Sequence, residues 1–371
     1  MRVLIVGDGN HYFNRKLVEH LKANFSNLTI DFFTTHPIPD INDIPYDKVY
    51  DASINIDALP FFLRLRGVLG QYVIYKFSNQ FLKVINANNY DIVHLQNANF
   101  WVYRVLKHLK LKRIKVIVTI WGSDFYRASR RIRRKMKDIF DMAEKITFAS
   151  AAISKDFDKV YSTGKKHEIV KFGLDLFDSI DRNRLAYKKS IDKKIVTIGY
   201  NRQPAQQHIK VIESLNNLSA GLKDKLKLII PFTYGPKNEK YYKDIQNSLA
   251  KLNIEYEFLN NFITEDQLAY QRLKSDIMIQ VQITDAFSGS MQEYMFADNA
   301  IITGSWLPYS ELEEKGVKYI TLDSIEEIPG RVTFLVENFD SFIETCNKNQ
   351  KLLRDLSSWE SNIQKWGRLY K

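Results

Sequence analysis

"DIMIQVQITDAFSGSMQEYMFADNAIITG" (residues 276–304) decides the fold. Its opening, "IMIQVQIT", is an apolar run too short for a helix and rich in β-branched residues, so it predicts a strand buried on both faces. "SMQEYMFADN" then carries helical spacing, and "NAIITG" returns to a strand. A strand, a polar turn, a helix and a second strand make one unit of a parallel sheet. The turn "AFSGS" places backbone N–H groups at a helix N-terminus. That end carries about half a positive charge and suits an anion. Gly289 permits close approach of the backbone, and Ser288 and Ser290 add hydroxyls. Asp285 and Glu293 bracket the turn, with Glu293 one turn inside the helix, where a carboxylate can take two vicinal hydroxyls. Acids also favour helix N-termini for electrostatic reasons alone, and that reading stands beside the functional one.

The same alternation runs outward in both directions. Expected strands in the N-terminal half are "RVLIVG" (2–7), "TIDFFTT" (29–35), "IVHLQ" (92–96), "KVIVTIWG" (115–122), "KITFAS" (145–150) and "HEIVKFG" (167–173). Helix-like stretches such as "RKLVEHLKANF" and "QFLKVINANN" separate them. After the basic stretch "RNRLAYKKSIDKK" (182–194) the pattern restarts at "KIVTIGYN" (194–201). It continues through "KLKLIIPFTYG", "EYEFLNN", "IMIQVQI", "NAIITG" and "VKYITL". The expected fold class is therefore α/β, two doubly wound Rossmann-like domains facing across a cleft. Residues 1–175 form the first, 176–345 the second, with a linker near 174–193. A helical tail, 346–371, is expected to cross back onto the first domain. In open parallel sheets ligands bind beyond the carboxyl ends of the strands, so motifs at strand ends outrank others.

The 371 residues suit two domains, and 45% hydrophobic with 26% charged residues describes an ordinary globular chain. No apolar run approaches the roughly 20 residues of a spanning helix. "MRVLIVGDGN" reads as a buried strand rather than a signal peptide. Cys346 is the one cysteine, so no intrachain disulfide forms, and a cytoplasmic location is expected. The net charge of +11 is unevenly placed: residues 1–175 hold 28 Lys and Arg against 17 Asp and Glu, and residues 176–371 hold 26 against 26. An anionic partner for the first half alone is implied.

At 285–304 the two acids, the seven residues between them and the following helix and strand resemble nucleotide-sugar glycosyltransferases of the GT-B fold. The large retaining "family four" group especially carries this pattern, although it usually has Glu where this chain has Asp285. The resemblance implies that Asp285 lies near the donor sugar and that Glu293 binds ribose, with Ser288, Gly289 and Ser290 at the diphosphate. "TIGYNRQPAQQHIKVIESL" (197–215) is similar to the start of the donor domain. It implies Arg202 at the diphosphate, with His208 contributing. "QQH" stands where the retaining group has Lys-Gly, and resembles instead the acetamidofucosyl transferase family of enterobacterial common antigen assembly. "PFTYGPKNEKYYKDI" (231–245) resembles the same family and adds Tyr234 to the donor side. "DIVHLQN" (91–97) resembles a family signature in which His94 faces the cleft, and "KVIVTIWGSDFY" (115–126) resembles the next strand end. Gly122 and Asp124, with Gly9 and Asn10 of "GDGN", are thereby placed on the acceptor side. "KFGLD" (171–175) is similar to the segment closing the first domain. Catalytic roles are implied for Arg202, Asp285 and His94. Taken alone, His94 reads as a core histidine, Arg202 as a surface arginine and "GDGN" as a close strand–helix approach; their order at strand ends favours the functional reading.

The expected activity is transfer of a sugar from a nucleoside-diphosphate sugar to a saccharide acceptor, lipid-linked or membrane-associated, in bacterial surface polysaccharide or glycoconjugate synthesis. No metal and no other cofactor are implied, since a helix dipole and Arg202 can take the diphosphate charge. Basic, amphipathic stretches cluster in the first half. "RASRRIRRKMK" (127–137) has seven basic residues and no acid, and "YRVLKHLKLKRIK" (103–115) has six. "LPFFLRLRGVLGQYVIY" (59–75) mixes Phe61 and Phe62 with Arg64 and Arg66. Together with Arg130, Arg131, Arg133 and Arg134 these predict peripheral binding to the anionic inner face of the cell membrane. Two rivals remain at this point. A sugar-nucleotide epimerase of the same fold would need no acceptor. A nucleic-acid-binding protein is suggested only by the basic charge, and no helix-turn-helix, zinc or RNA-binding motif supports it.

Overall fold

The computed structural model describes residues 1–39, 44–65, 67–163, 167–187, 192–260 and 264–371. The chain divides into two compact units, residues 1–173 with 362–371, and residues 174–361.

The first unit is built on a parallel sheet. Its strands are β1 (Arg2–Gly7), β2 (Thr29–Thr34), β3 (Lys48–Asp51), β4 (Ile92–Gln96), β5 (Lys115–Ile120), β6 (Lys145–Phe148) and β7 (His167–Ile169). Their order is β3-β2-β1-β4-β5-β6-β7, and every pairing is parallel. Val3 to Val6 and Ile92 to Gln96 are buried throughout, as helices on both faces require. β3, in "DKVYDAS", was not expected from sequence: it is a short edge strand whose end residues are exposed and whose central Val49 and Tyr50 are only partly buried.

The second unit repeats the design with β8 (Lys194–Ile198), β9 (Leu226–Pro231), β10 (Glu255–Leu259), β11 (Ile277–Gln280), β12 (Ala300–Gly304) and β13 (Ile320–Leu322). Their order is β10-β9-β8-β11-β12-β13, again parallel throughout. Val196, Ile198, Leu228, Ile230, Ile277, Ile279 and Ile302 form the centre of its core. In both sheets the strand order reverses once, between β1 and β4 and between β8 and β11. Such switch points leave room beyond the strand ends for a ligand.

The expected linker and tail boundaries need correction. Residues 174–187 are no linker: the Leu176–Arg184 helix packs into the second unit. Phe177 stacks on Phe296 with ring centroids 4.2 Å apart. Arg184 pairs with Asp298 and donates to the Phe296 carbonyl at 2.6 Å. Residues 346–361 likewise belong to the second unit. Arg354 there binds Asp178 at 2.8 Å and Asp181 at 2.7 Å. Only residues from Asn362 onward, in the Trp359–Leu369 helix, join the first unit. Gly367 makes that docking possible, because a Cβ there would lie 2.1 Å from Phe25 Cζ. Trp366 is fully buried and donates through Nε1 to the Lys171 carbonyl at 2.8 Å.

Candidate functional site

In the second unit the turn after β11 forms as its residues dictate. Ser288 is the N-cap of the Gly289–Phe296 helix, its Oγ accepting from Met291 N at 3.1 Å. Ser290 is held in another way: Arg272 Nη2 donates to its Oγ at 3.2 Å. Both hydroxyls thus accept a hydrogen bond within the protein.

Glu293 has a partner that sequence did not reveal. Arg272, in the Glu265–Lys274 helix, donates to Glu293 Oε2 through Nε at 3.2 Å and Nη2 at 2.9 Å. The pair is largely buried, with Arg272 also 4.2 Å above the Tyr294 ring and donating to Gln271 Oε1 at 2.6 Å. One carboxylate oxygen is thus committed to Arg272, and Oε1 takes no part in that pair. The cue available in sequence was an arginine in the last turn of "EDQLAYQRLK", a helix otherwise read only for its periodicity.

Asp285 is also oriented. Its Oδ2 receives the Tyr309 hydroxyl and, at 3.4 Å, Gln280 Nε2; its Oδ1 accepts from Ala286 N at 2.8 Å. Gln280 in turn donates to the Tyr309 oxygen at 2.8 Å. Tyr309 is fully buried and its phenol is pushed well above the ordinary tyrosine range by burial and by the Asp285 charge. It stays a neutral donor to that carboxylate.

Arg202 follows β8 and donates through Nη2 to the Thr233 carbonyl at 2.5 Å, while its amide donates to the Tyr234 carbonyl at 3.0 Å. Gly235, at φ +109°, lets the two turns meet; its Cβ would lie 3.2 Å from Arg202 Cγ. Tyr234 itself is half exposed. His208 departs from expectation: it is fully buried, its Nδ1 lies 3.1 Å from Tyr241 Oη, and burial lowers its pKa to about 3. A neutral, buried imidazole contributes no charge to a diphosphate.

In the first unit His94 is the main correction. It was expected to face open space at a strand end and to act in catalysis. Its side chain is instead buried inside the sheet, Nδ1 2.7 Å from Tyr370 Oη and Nε2 2.7 Å from Thr119 Oγ1, which lies 2.7 Å from Thr147 Oγ1. Desolvation lowers its pKa to about 3. Both nitrogens are engaged and the ring is a neutral core group.

The acceptor-side residues act mainly as scaffolding. Gly9 points inward: its amide donates to Thr34 Oγ1 at 3.1 Å, its carbonyl accepts from Tyr46 Oη at 2.7 Å, and a Cβ would collide with Ile38. Asn10 is exposed, its amide bonded to Asp8 Oδ1 at 3.0 Å. Gly122 takes φ +93° to begin the Ser123–Tyr126 turn. Asp124 ties two strand-end loops together, accepting from Ala98 N at 2.8 Å and Trp121 N at 3.0 Å. Of the membrane-side residues, Phe61 and Phe62 are 79% and 62% exposed, and Arg64 donates to the Leu59 carbonyl at 2.7 Å. Arg66 lies outside the described residues. Arg130, Arg131 and Arg134 are exposed. Arg133 is not a free cation of that group, because its guanidinium lies over the Phe125 ring at 5.5 Å and reaches the Phe125 and Tyr126 carbonyls. No helix among the described residues is long and apolar enough to cross a membrane.

The comparisons with known proteins agree with this architecture. The family described as 4-alpha-L-fucosyltransferase glycosyl transferase group 56 matches residues 75–277, more than half of the chain. No curated protein sequence matches. Among solved structures, sucrose-phosphate synthase from Thermosynechococcus elongatus is 12% identical with a TM-score of 0.78, covering 100% of this chain and 98% of its own. HepE from Anabaena, solved in complex with UDP and glucose, is 14% identical with a TM-score of 0.74, covering 100% and 99%. A glycosyltransferase from Rickettsia africae is 14% identical with a TM-score of 0.75, covering 100% and 97%. The chain belongs to glycosyl transferase group 56, and it is a glycosyltransferase of the GT-B fold.

Two predictions follow from the buried charges. Replacing Glu293 by Ala leaves Arg272 buried without its counter-charge, at a cost of about 3 kcal/mol. Glu293→Gln, which keeps an acceptor oxygen, is expected to cost clearly less; denaturant unfolding of both variants measures the difference. The second concerns Asp124. Burial raises its pKa from 3.8 to about 6, against the opposing pull of the Ala98 and Trp121 amides. With the folded pKa above the unfolded one, folding favours the protonated acid. Its contribution is greatest below about pH 4, is lost as pH rises towards 6, and is flat above. Relative to Asp124→Asn, the wild type should therefore lose on the order of 2–3 kcal/mol between pH 4 and pH 7 in urea titrations.

Proposed function

We propose that this member of glycosyl transferase group 56 moves a 6-deoxyhexose of the fucose type from a nucleoside-diphosphate sugar to a lipid-linked saccharide. The family description and the "QQH" resemblance at 206–208 support the sugar class. The observation that carries the donor assignment is the turn at the β8–β11 switch point. It brings the N-terminus of the Gly289–Phe296 helix, an oriented Asp285 and a charge-paired Glu293 into one sequence of nine residues. HepE, a relative in fold, was solved with UDP-glucose, which is consistent with a nucleotide sugar as donor here.

In this reading the 288–290 amides and Arg202 stabilise the departing diphosphate, the largest electrostatic task in the reaction. Glu293 holds the ribose through its uncommitted oxygen, and Asp285 contacts the donor sugar. No metal and no further cofactor take part. Incubating a panel of nucleotide sugars with and without a saccharide acceptor, in EDTA, tests the reading. Transfer only with acceptor supports it. A rearranged sugar nucleotide formed without acceptor would establish the epimerase instead, and loss of transfer in EDTA would overturn metal independence.

Arg202→Ala should lower kcat about a hundredfold and donor affinity much less, because its charge matters most as the diphosphate leaves. An equal loss in donor binding and kcat/KM, with kcat unchanged, would make it an anchor only.

The lipid-linked acceptor is supported by the surface of the first unit. Phe61 and Phe62 stand exposed on the four-residue Phe61–Arg64 helix, followed by Leu65, Val68 and Tyr75, each more than 40% exposed. Aromatic residues insert at headgroup depth while exposed cations supply attraction to anionic lipid at about 1 kcal/mol each. Neutralising Arg130, Arg131 and Arg134, and sparing Arg133, should release the protein from anionic vesicles and raise KM for a lipid-linked acceptor. KM for a short soluble acceptor should change little. Equal co-sedimentation of parent and variant at low salt would remove the membrane from the proposal.

A further inference from the structure

The turn that follows β12 reaches the turn that follows β11 at two points. Tyr309 Oη donates to Asp285 Oδ2, and Trp306 Nε1 donates to the Gln282 carbonyl at 2.9 Å. Trp306 and Asp285 therefore belong to one edge of the second unit, at the carboxyl ends of two neighbouring strands.

The Trp306 ring is also fixed by what it rests on. A Cβ on Gly304 would lie 2.4 Å from indole Cε2 and Cζ2, so the ring packs directly on the Gly304 backbone and requires glycine there. The side chain nevertheless leaves Trp306 40% exposed. Ile283, two residues before Asp285, is 58% exposed. The peptide that carries it is clamped on both sides. The Gln282 carbonyl accepts from the indole, and Ile283 N donates to the Ala205 carbonyl at 2.9 Å. Gln282 is itself buried, its Oε1 accepting from Gln206 Nε2 at 2.7 Å.

Single exposed apolar residues are ordinary on a protein surface. These two differ in being anchored beside an oriented carboxylate, and the chemistry they offer is narrow. The one polar atom of the indole is spent on Gln282, and isoleucine has none. This edge thus holds two fixed apolar contacts that give no hydrogen bond to a ligand.

A 6-deoxyhexose suits that combination. Its C5 methyl group is an apolar corner, where the corresponding hexose carries a hydroxymethyl group. A 6-hydroxyl set against the indole and Ile283 would lose water and find no partner, whereas a methyl group gains by leaving water. We propose that Trp306, with Ile283, takes the C5 methyl group of the donor sugar and so makes the enzyme select 6-deoxyhexosyl donors over their 6-hydroxy counterparts. Asp285 is the group read above as contacting the donor sugar, so its apolar neighbours meet that sugar rather than the nucleobase. A purely apolar contact rejects an added hydroxyl by at most about a hundredfold, so selection on the order of tenfold is expected. The inference rests on the reading that the Asp285 turn binds a nucleoside-diphosphate 6-deoxyhexose.

The test is isothermal titration of the full chain with donor pairs that differ only at C6. These are GDP-L-fucose with GDP-L-galactose and dTDP-D-fucose with dTDP-D-galactose, each beside free GDP or dTDP. The parent should bind the 6-deoxy member of the pair it recognises on the order of tenfold more tightly. Trp306→Ala and Ile283→Ser should each reduce that ratio at least about threefold, while free nucleotide binds within about twofold of the parent. Trp306→Phe keeps an apolar ring and should retain most of the selection. Ile283 is exposed, so Ile283→Ser gives a clear answer even where Trp306→Ala perturbs folding. A parental ratio near one, variants that keep the parental ratio, or variants that weaken free nucleotide as much as nucleotide sugar would each overturn the inference and leave the donor reading standing. Failure of both pairs to bind would overturn the donor reading, and this inference with it.

Discussion

Burying a parallel strand on both faces leaves it nowhere to present a polar side chain to a ligand except where the strand ends. That constraint organises both units. Inside the sheets, polar residues satisfy one another, as in the ladder from Tyr370 through His94 and Thr119 to Thr147. Beyond the strand ends the backbone must turn into a helix, and at the first unit's switch point a cavity of about 460 Å³ lies beside the turn. The cavity beside Gly7 and Gln96 and the Asp285–Glu293 turn after β11 occupy corresponding positions in two different sheets.

At those turns the protein fixes its charged groups by pairing them rather than by leaving them in solvent. Arg272 fixes Glu293, Tyr309 and Gln280 fix Asp285, and the Ala98 and Trp121 amides fix Asp124. Each arrangement spends part of a carboxylate's hydrogen-bonding capacity to hold the rest in one direction. A group held this way loses little conformational entropy when a ligand arrives, which favours both affinity and turnover. Each held group is also a stability liability, because a partner removed from such a site leaves a buried charge uncompensated.

The alternation of apolar runs and helices made the two parallel sheets legible in sequence, since periodicity reports burial directly. The Ser288 cap and the helix at 289–296 were legible because capping chemistry is local. What sequence could not show was direction and partnership. His94 reads as a strand-end histidine, yet it lies within β4 and its partner Tyr370 is 276 residues away. His208 opens a helix, which favours a functional reading, and is nevertheless buried against Tyr241. Arg272 sits on a helix whose periodicity gave no sign that its guanidinium reaches Glu293. Edge strand β3 was invisible because half exposure erases the apolar run that marks a buried strand.

The basic run at 127–137 shows how one composition serves two purposes. The Arg130–Met142 helix buries Met136, Ile139 and Phe140, an i, i+3, i+4 stripe facing the unit's core. Arg133 stands three residues before Met136 on that stripe, and its guanidinium is drawn onto Phe125 and the carbonyls closing the 123–126 turn. That turn carries Asp124, which fixes Trp121. Arg133 thereby belongs to the support of the cavity wall, and its neighbours Arg130, Arg131 and Arg134 remain free to meet an anionic surface. Mutating the run as a block would confuse the two roles, because loss of Arg133 would disturb the aromatic cavity while loss of the others would alter only surface charge. The helical period, not the count of basic residues, separates the arginines that build the unit from those available to a partner.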